Sequence, residues 1–161
     1  MKNENKDLNF LKGRLAENLV KLMLRRAEYT VIDLGVARTD EVSQAIKDKR
    51  GKTIKEVRFM PDFIVQERDN GHLFNYLEVK YRTNGKFSRK DVDRDYPYKN
   101  TYFIVVSPTC IQCLHYTKLV GENIEFSNTT PSLLANCDGF AIPPDIIEEF
   151  STYARQFYVG V

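Results

Sequence analysis

Two carboxylates and a lysine lie in neighbouring hydrophobic runs of the sequence. Asp62 belongs to the first run, and Glu78 and Lys80 belong to the second, Leu73 to Tyr81. Carboxylate oxygens are the hard ligands that Mg²⁺ and Mn²⁺ prefer. An ammonium group beside such an ion can polarise a water or stabilise a developing oxyanion. These residue types therefore suit metal-assisted hydrolysis, provided that the fold brings the two runs side by side.

The spacing of the runs predicts such a fold. We expect two strands, about Val57 to Gln66 and Leu73 to Tyr81, joined by a turn that contains Asn70-Gly71, a pair that favours tight hairpin turns. The hairpin would make the strands antiparallel neighbours. Residues two apart on a strand share a face, so Glu78 and Lys80 would project together, with Asp62 alongside.

A Glu-x-Lys motif alone has little meaning, because it is short and Glu4-Asn5-Lys6 also matches it. The structural alternative is the polar face of a two-stranded ribbon, on which Lys80 pairs with acids across the strands. Leu77 and Val79 on one face, with Phe74 and Tyr76 on the other, favour instead a strand that is buried on both sides. Charges on such a strand need partners or a metal ion.

Glu17 is a third candidate carboxylate. It lies in a predicted first helix, about Leu8 to Ala27, which has leucines at helical spacing and one polar stripe. The leucines are Leu8, Leu11, Leu15, Leu19 and Leu22, and the stripe is Arg14, Asn18, Lys21 and Arg25. At about 100° per residue, Glu17 falls at the edge of the apolar arc, where it is poorly solvated. The alternative is an i,i+4 pair with Lys21, which contributes a few tenths of a kcal/mol.

Further elements follow from periodicity and from turn and capping residues. A polar insertion covers 39–56, and Ser88 with Asp91 resembles a capping box that opens a short helix ended by Pro97. A C-terminal extension, 122–161, contains a last helix that starts after Pro143-Pro144. We also predict strands at Tyr29 to Leu34, Thr101 to Ser107 and Cys110 to Leu119, and a helix at Asp145 to Phe157. The run Thr101 to Ser107 is continuously apolar, which indicates a central strand of the sheet.

Length and composition set outer limits. With 161 residues, of which 42% are hydrophobic, the chain matches one domain with its own core. Its longest apolar stretch, Tyr102 to Val106, is too short to span a bilayer, so we expect no membrane association and a cytoplasmic location. Three cysteines, an odd number, agree with a reducing compartment. The net charge of +2 means that any nucleic-acid surface must be a local patch.

The order of these features resembles the PD-(D/E)XK nuclease superfamily, in its restriction-endonuclease-like and Holliday-junction-resolvase-like branch. The features are a helix with Glu17, a strand with Pro61-Asp62, a hairpin, a strand with Glu78-Val79-Lys80, a helix and the strand Thr101 to Ser107. The resemblance covers about Leu8 to Leu119. It implies an α/β fold with a restriction-endonuclease-like core, a mixed central β-sheet flanked by α-helices, in a single nuclease-like domain, 1–161.

The resemblance also implies an enzyme, a Mg²⁺- or Mn²⁺-dependent deoxyribonuclease. Asp62 and Glu78 would bind the metal, and Lys80 would orient or activate the attacking water. Apart from the resemblance, we expect the Val79 carbonyl as a further ligand, because it lies between Glu78 and Lys80. Glu17 would match the acid that this family often carries on its first helix. DNA is the expected partner, and a homodimer is a further expectation, since cutting two strands would need two sites. The alternative is a non-catalytic module on the same fold that binds nucleic acid or protein.

Basic residues cluster after the second strand of the hairpin: Arg82, Lys86, Arg89, Lys90, Arg94 and Lys99. Such side chains hold phosphates without reading sequence. We expect Tyr81, Arg82, Lys86, Arg89 and Lys90 to contact DNA. The alternative is a solvated helix and loop, because three interleaved aspartates offset the charge. Tyrosines here, Tyr81, Tyr96 and Tyr98, would stack on splayed bases or belong to the core and its rim.

Cys110-x-x-Cys113, together with His115 and Cys137, raises the possibility of a zinc or thiol site. A structural zinc ion takes four ligands, and an isolated Cys-x-x-Cys is weak support for one. On a strand, Cys110 and Cys113 would point to opposite faces, which argues against shared ligation. We therefore expect free thiols.

Overall fold

The computed structural model describes residues 2–35, 56–66, 74–127 and 141–159. Most of the predicted insertion 39–56 and the predicted turn at Asn70-Gly71 lie outside these ranges. The elements are, in chain order, α1 (Lys2–Arg26), β1 (Thr30–Asp33), β2 (Phe63–Gln66), β3 (Phe74–Tyr81), β4 (Thr101–Val106), β5 (Ile111–His115) and α2 (Pro144–Tyr158).

The strands form one five-stranded sheet in the order β1-β2-β3-β4-β5. β3 and β4 run parallel, and every other neighbouring pair is antiparallel. The prediction of a mixed α/β fold, in which helices flank a mixed sheet, is therefore confirmed, as is the antiparallel pairing of β2 with β3. The predicted apolar strand at Thr101 to Ser107 is β4, which lies between β3 and β5 and is buried along its whole length.

Two separate cores cover the two faces of the sheet. On the helical face, α1 and α2 pack against alternate strand residues, among them Leu77, Val79 and Ile104. The opposite, aromatic face is covered over β4 and β5 by a cluster of Phe87, Tyr96, Phe103, Val105, Leu114, Leu119 and Phe126. Since successive strand residues point to opposite faces, Tyr76, Glu78 and Lys80 belong to the aromatic face.

The end of α1 turns the chain directly into the sheet. Glu28 adopts a left-handed conformation with φ of 66°. The N–H of Tyr29 donates to the Leu24 carbonyl at 3.0 Å, and the N–H of Glu28 donates to the Arg25 carbonyl at 3.1 Å. This is the Schellman pattern, which satisfies the last carbonyls of a helix and reverses the chain. β1 therefore starts four residues after α1 and pairs at the sheet edge.

Long-range hydrogen bonds fix the two helices beside each other. The Tyr158 hydroxyl at the end of α2 donates to the Lys12 carbonyl at 3.0 Å, and the Tyr29 hydroxyl donates to the Ala141 carbonyl at 2.8 Å. Burial raises the pKa of Tyr158, and the neighbouring Tyr81 adds to the shift. Among the described helices, none is both long enough and apolar enough to cross a membrane.

The predicted buried face of α1 is partly wrong. Leu19 is buried as expected, but Leu11 is 61% exposed and Leu22 is 56% exposed. The residues in the core are instead Ala16, Leu19, Val20, Met23 and Leu24. The leucine pattern was misleading because a small residue such as Ala16 contributes little to apparent hydrophobicity, yet it lets the helix approach the sheet closely.

Three predicted boundaries also change. β2 begins at Phe63 and not near Val57, since residues 56–58 are helical and Pro61 has no N–H to donate to a neighbouring strand. The predicted strand Cys110 to Leu119 ends at His115, and Thr117–Gly121 forms a π-helical turn. The capping box at Ser88 is present, but the helix that it opens is a single 3-10 turn, Arg89–Asp91, which ends well before Pro97.

Candidate functional site

Asp62 and Glu78 lie on neighbouring strands at matching positions. Phe63 pairs with Leu77 in the register of β2 and β3, so Asp62, one residue earlier, lies opposite Glu78. Both carboxylates are buried, Asp62 with 2% and Glu78 with 5% of its surface exposed. A buried carboxylate is costly unless a cation or hydrogen-bond donors compensate for its charge. Two of them side by side therefore need an explanation beyond packing.

The backbone of β3 orients Asp62. Its Oδ2 accepts a hydrogen bond from the N–H of Val79 at 2.7 Å. The carboxylate therefore takes the place of a backbone carbonyl as the acceptor for this strand N–H. In an antiparallel pair, the N–H and C=O of one residue point to the same neighbouring strand. The Val79 carbonyl is therefore directed to the side of β3 on which Asp62 lies, as its predicted role as a ligand requires.

Lys80 compensates for the charge of Glu78. Its Nζ forms a short ion pair with Glu78 Oε1, and the two residues share the aromatic face of β3. The Glu78 side chain is 6% exposed and that of Lys80 is 32% exposed, so the ammonium stands at the boundary between the buried carboxylate and solvent. The predicted grouping of Asp62, Glu78 and Lys80 at one place in the sheet is thus present in the structure.

Glu17 has a different partner from the one considered in the sequence. Its Oε2 accepts a hydrogen bond from Arg14 Nη1 at 2.8 Å, and the Arg14 guanidinium also stacks over the ring of Phe10. Lys21, the alternative partner, instead donates to Asp33 Oδ2 at 2.7 Å. The role of Glu17 as a metal ligand stays a prediction.

The ion pair of Lys21 and Asp33 fixes α1 to the edge strand. Burial favours the neutral acid, but the hydrogen bonds from Lys21 and the Gly35 N–H, with the charges of Lys21 and Arg14, outweigh it and lower the pKa of Asp33. A Cβ on Gly35 would lie 3.1 Å from Asp33 Oδ1 and 3.7 Å from Arg14 Nη1, so the chain passes tightly over this cluster. Leu34 then donates its N–H to the Asp62 carbonyl at 2.9 Å. Residues 33–35 therefore lie between the Arg14–Glu17 ion pair on α1 and Asp62, which immediately precedes β2.

The chemistry of the donor set fits a divalent cation. Mg²⁺ is commonly bound by one or two carboxylates and keeps several waters, and a carboxylate has about four acceptor positions. Asp62, Glu78 and the Val79 carbonyl would supply such ligands. Within the described ranges, no three or more His, Cys, Asp or Glu side chains form a group that could hold a metal ion. A metal here would therefore depend on two carboxylates, backbone, water and substrate for its coordination.

Basic side chains continue from this site. Arg82 follows β3, and its Nη1 donates a hydrogen bond to the Tyr81 carbonyl at 3.0 Å. Its guanidinium carbon lies 5.1 Å from the centroid of the Phe87 ring, and its Nη2 lies 3.8 Å from Asp91 Oδ1. Lys86, Arg89 and Lys90 are exposed. Asp91 caps the turn that carries Arg89 and Lys90, because its Oδ2 accepts from the Ser88 N–H at 2.9 Å. Tyr81 is half-buried against Tyr158, with 4.4 Å between the ring centroids.

The cysteines do not form a cluster among the described residues. Cys113 is 1% exposed and packs in the core of the helical face, whereas Cys110 is half-buried beside Ser107. Neither belongs to a disulfide among the described residues. His115 Nδ1 and Nε2 interact with Thr117 and Asn100. Cys137 lies outside the described residues.

A pair of tyrosines beside the carboxylates was missed in the sequence. Tyr76 precedes Glu78 by two residues on the same face of β3. The centroid of its ring lies 5.2 Å from that of the Tyr98 ring, and the two ring planes are inclined by 62°. The hydroxyl of Tyr98 donates to the Glu56 carbonyl at 3.0 Å. The sequence indicates Tyr98 as a residue that stacks on bases or belongs to the core and its rim, and Tyr76 as a buried residue of the strand. Their contact leaves no signal in the sequence because it depends on the tertiary fold.

Comparison of the chain with protein-family models, with curated proteins and with solved structures found no match. The geometry of the site must therefore carry the argument about function.

Proposed function

We propose that this protein hydrolyses phosphodiester bonds in DNA with a divalent metal ion held by Asp62 and Glu78. The observation that carries the proposal is the pair of buried carboxylates at matching positions of β2 and β3, with an ion-paired lysine on the same strand. Lys80 and the Val79 N–H offset part of the cost of burying these two carboxylates, and a bound cation would offset more of it. The proposal thus gives a physical reason for a costly arrangement.

Each residue has a distinct task in this scheme. Asp62 and Glu78 would hold the cation, and the Val79 N–H keeps the Asp62 carboxylate in place through its 2.7 Å hydrogen bond. A divalent ion supplies charge neutralisation at a scissile phosphate and makes water more acidic. Lys80, at the solvent boundary beside Glu78, orients the attacking water and stabilises the negative charge that develops on the phosphate.

A restriction-endonuclease-like core is part of the same proposal. The order of α1, an antiparallel β2–β3 pair with its carboxylates, and a parallel β4 supports it. Exposed Lys86, Arg89 and Lys90 would hold the DNA backbone, with Arg82 nearer to the carboxylates. Because phosphate contacts release counterions, the affinity for DNA should fall steeply as salt increases.

Cleavage of four DNA forms tests the proposal: supercoiled, linear duplex, single-stranded and branched. The wild type should cut at least one of them with Mg²⁺ or Mn²⁺ and none in EDTA. Asp62→Asn and Lys80→Ala should each lose the activity, while Asp145→Asn, on the surface of α2, serves as the matched control and should keep it. Unchanged metal-dependent cleavage by both site variants would refute the scheme.

The alternative is a non-catalytic module that binds nucleic acid or a partner protein. It is favoured by the ion pair that already occupies Glu78 and by the pairing of Glu17 with Arg14, since both carboxylates have protein cations as partners. A binding module would keep its affinity for DNA in EDTA and would show no turnover of any DNA form with either metal.

A further inference from the structure

In the described part of the chain, the aromatic face of the sheet is only partly covered. Its aromatic cluster lies over β4 and β5, whereas α1 and α2 both pack on the helical face. Over β1, β2 and β3, one row of side chains crosses the aromatic face, because Ile32 pairs with Ile64 and Ile64 pairs with Tyr76. Ile32 is 45% exposed, and Ile64 and Tyr76 are half-buried. This row, which we call the apolar row, reaches solvent.

The apolar row lies directly beside the carboxylates. Tyr76 and Glu78 are two residues apart on β3, which separates them by roughly 6.6–6.8 Å. Ile64 is in β2, and Asp62 precedes it by two residues, just before the strand begins. Lys80 and Arg82 follow Glu78 at two-residue intervals and so lie on the same face, on the side of Glu78 away from Tyr76. Along β3, the aromatic face therefore presents the ring of Tyr76, then the carboxylate of Glu78 with Asp62 opposite it, and then the cations of Lys80 and Arg82.

Tyr98 completes an aromatic pair at the apolar end of this line. Its ring meets that of Tyr76 edge to face at 5.2 Å and that of Tyr96 at 6.0 Å, also edge to face. Tyr96 is buried, but Tyr76 and Tyr98 are each half-buried. In an edge-to-face pair the edge of one ring meets one face of the other, and the exposed part of each half-buried ring is the surface on which a planar ligand would stack. Rings that are already fixed by such contacts lose little entropy when a ligand stacks on them.

We propose that Tyr76 and Tyr98 form a platform for unpaired nucleobases, so that single-stranded DNA, or a single-stranded part of a branched DNA, is the substrate class. Stacking on a protein ring requires the face of a base, which neighbouring bases cover in a duplex. A strand bound along β3 would place a base on the platform, a phosphate at Asp62 and Glu78, and further phosphates at Lys80 and Arg82. This inference rests on the proposed function for its cleavage step, whereas base stacking itself needs no metal.

Binding in EDTA therefore tests the platform separately from catalysis. A labelled short single strand of mixed sequence and the duplex formed from it are titrated at one fixed salt concentration, since affinity depends strongly on salt. The wild type should bind the single strand roughly 10-fold more tightly than the duplex, which corresponds to about 1.4 kcal/mol and lies within the range for stacking one base on an aromatic ring. Equal affinity for the two forms, or a preference for the duplex, would overturn the proposal.

Variants distinguish a stacking role from a structural one. Tyr76→Ala should weaken single-strand binding roughly 10-fold and leave duplex binding unchanged, whereas Tyr76→Phe keeps the ring and should bind as the wild type does. Tyr153→Ala, which removes an exposed tyrosine from α2, is the matched control and should change neither affinity. A Tyr76→Ala variant that loses affinity for both forms equally, or a Tyr76→Phe variant as weak as Tyr76→Ala, would contradict stacking.

Cleavage by the same preparations separates the two proposals. A single-strand preference that depends on Tyr76, without metal-dependent cleavage, would support the platform and refute the nuclease. Metal-dependent cleavage that Asp62→Asn abolishes, without any single-strand preference, would support the nuclease and refute the platform.

Discussion

Removal of the Lys80 ammonium should destabilise the metal-free protein. Lys80→Met keeps the aliphatic stem and leaves the Glu78 carboxylate, whose side chain is 6% exposed, without its ion pair. Hydrogen bonds to charged groups contribute about 1.5–3 kcal/mol, and loss of one partner from a fully buried pair costs about 3–5 kcal/mol. Lys80 is 32% exposed, so water replaces part of the lost interaction. We expect a loss of about 2 kcal/mol in the free energy of unfolding.

Thermal and urea unfolding in EDTA measure this loss. For a chain of 161 residues, about 2 kcal/mol corresponds to a decrease of about 4–8 °C in Tm. The double variant Glu78→Gln/Lys80→Met is the control, because a neutral amide needs no counterion and the interaction energy between neighbouring sites appears as non-additivity. It should be more stable than Lys80→Met alone. A Lys80→Met variant as stable as the wild type, or strictly additive losses in the double variant, would refute the reasoning.

Divalent metal should reverse the defect of Lys80→Met. A ligand at about 100 times its Kd stabilises a folded protein by about 2.7 kcal/mol. In Lys80→Met the ion would replace the missing ammonium beside Glu78, so the increase in Tm with Mn²⁺ should be at least as large as in the wild type. An increase smaller than that of the wild type would show that Lys80 and the metal do not share Glu78.

Three further predictions concern the scaffold. Tyr158→Phe removes the hydrogen bond to the Lys12 carbonyl and should cost about 0.5–1.5 kcal/mol in urea unfolding, the usual net contribution of one hydrogen bond. Ile104→Ala, in the fully buried β4, should cost about 2–5 kcal/mol by the same measurement. Asp33→Asn should lower stability by less than about 1 kcal/mol at pH 7, since its ion pair with Lys21 is partly exposed. Because the folded pKa of Asp33 is lowered, this difference should be complete above about pH 4 and should disappear as the pH falls through the folded pKa. A difference that does not diminish as the pH is lowered below about 4 would contradict the assignment.

Much of the site could be predicted from local sequence. The hydrophobic runs and the Asn-Gly pair between them indicated an antiparallel pairing, and the register of that pairing places Asp62 opposite Glu78. The alternation of side chains along a strand then places Lys80 with Glu78. These relations span few residues and follow from backbone geometry, so tertiary packing did not alter them.

Partners that depend on tertiary packing could not be predicted in the same way. Arg14 and Lys21 both lie within one turn or so of Glu17, and the helix alone permits either to pair with it. The choice depends on Asp33, which belongs to β1 and takes Lys21. The Tyr76–Tyr98 pair likewise depends on the path of the chain after β3. Neither contact leaves a periodic signal in the sequence.

Hydrophobic runs also gave the wrong boundaries where apolar residues pack outside strands. Phe59 precedes β2, yet its ring contacts Tyr96 with 6.1 Å between the centroids. Leu119 is fully buried although it lies in a π-helical turn after β5. Burial rather than strand structure explains the hydrophobicity of both segments, and periodicity over so few residues cannot separate the two.

Calorimetric titration with Mn²⁺ tests most directly whether Asp62 and Glu78 form a metal site. The wild type should bind the ion in a saturable manner, and Asp62→Asn should bind it at least about 10-fold more weakly, a loss of about 1.4 kcal/mol. Asp145→Asn, whose carboxylate lies at the start of α2, should bind as the wild type does. Wild-type binding that Asp62→Asn leaves unchanged, or no binding by the wild type, would contradict the account.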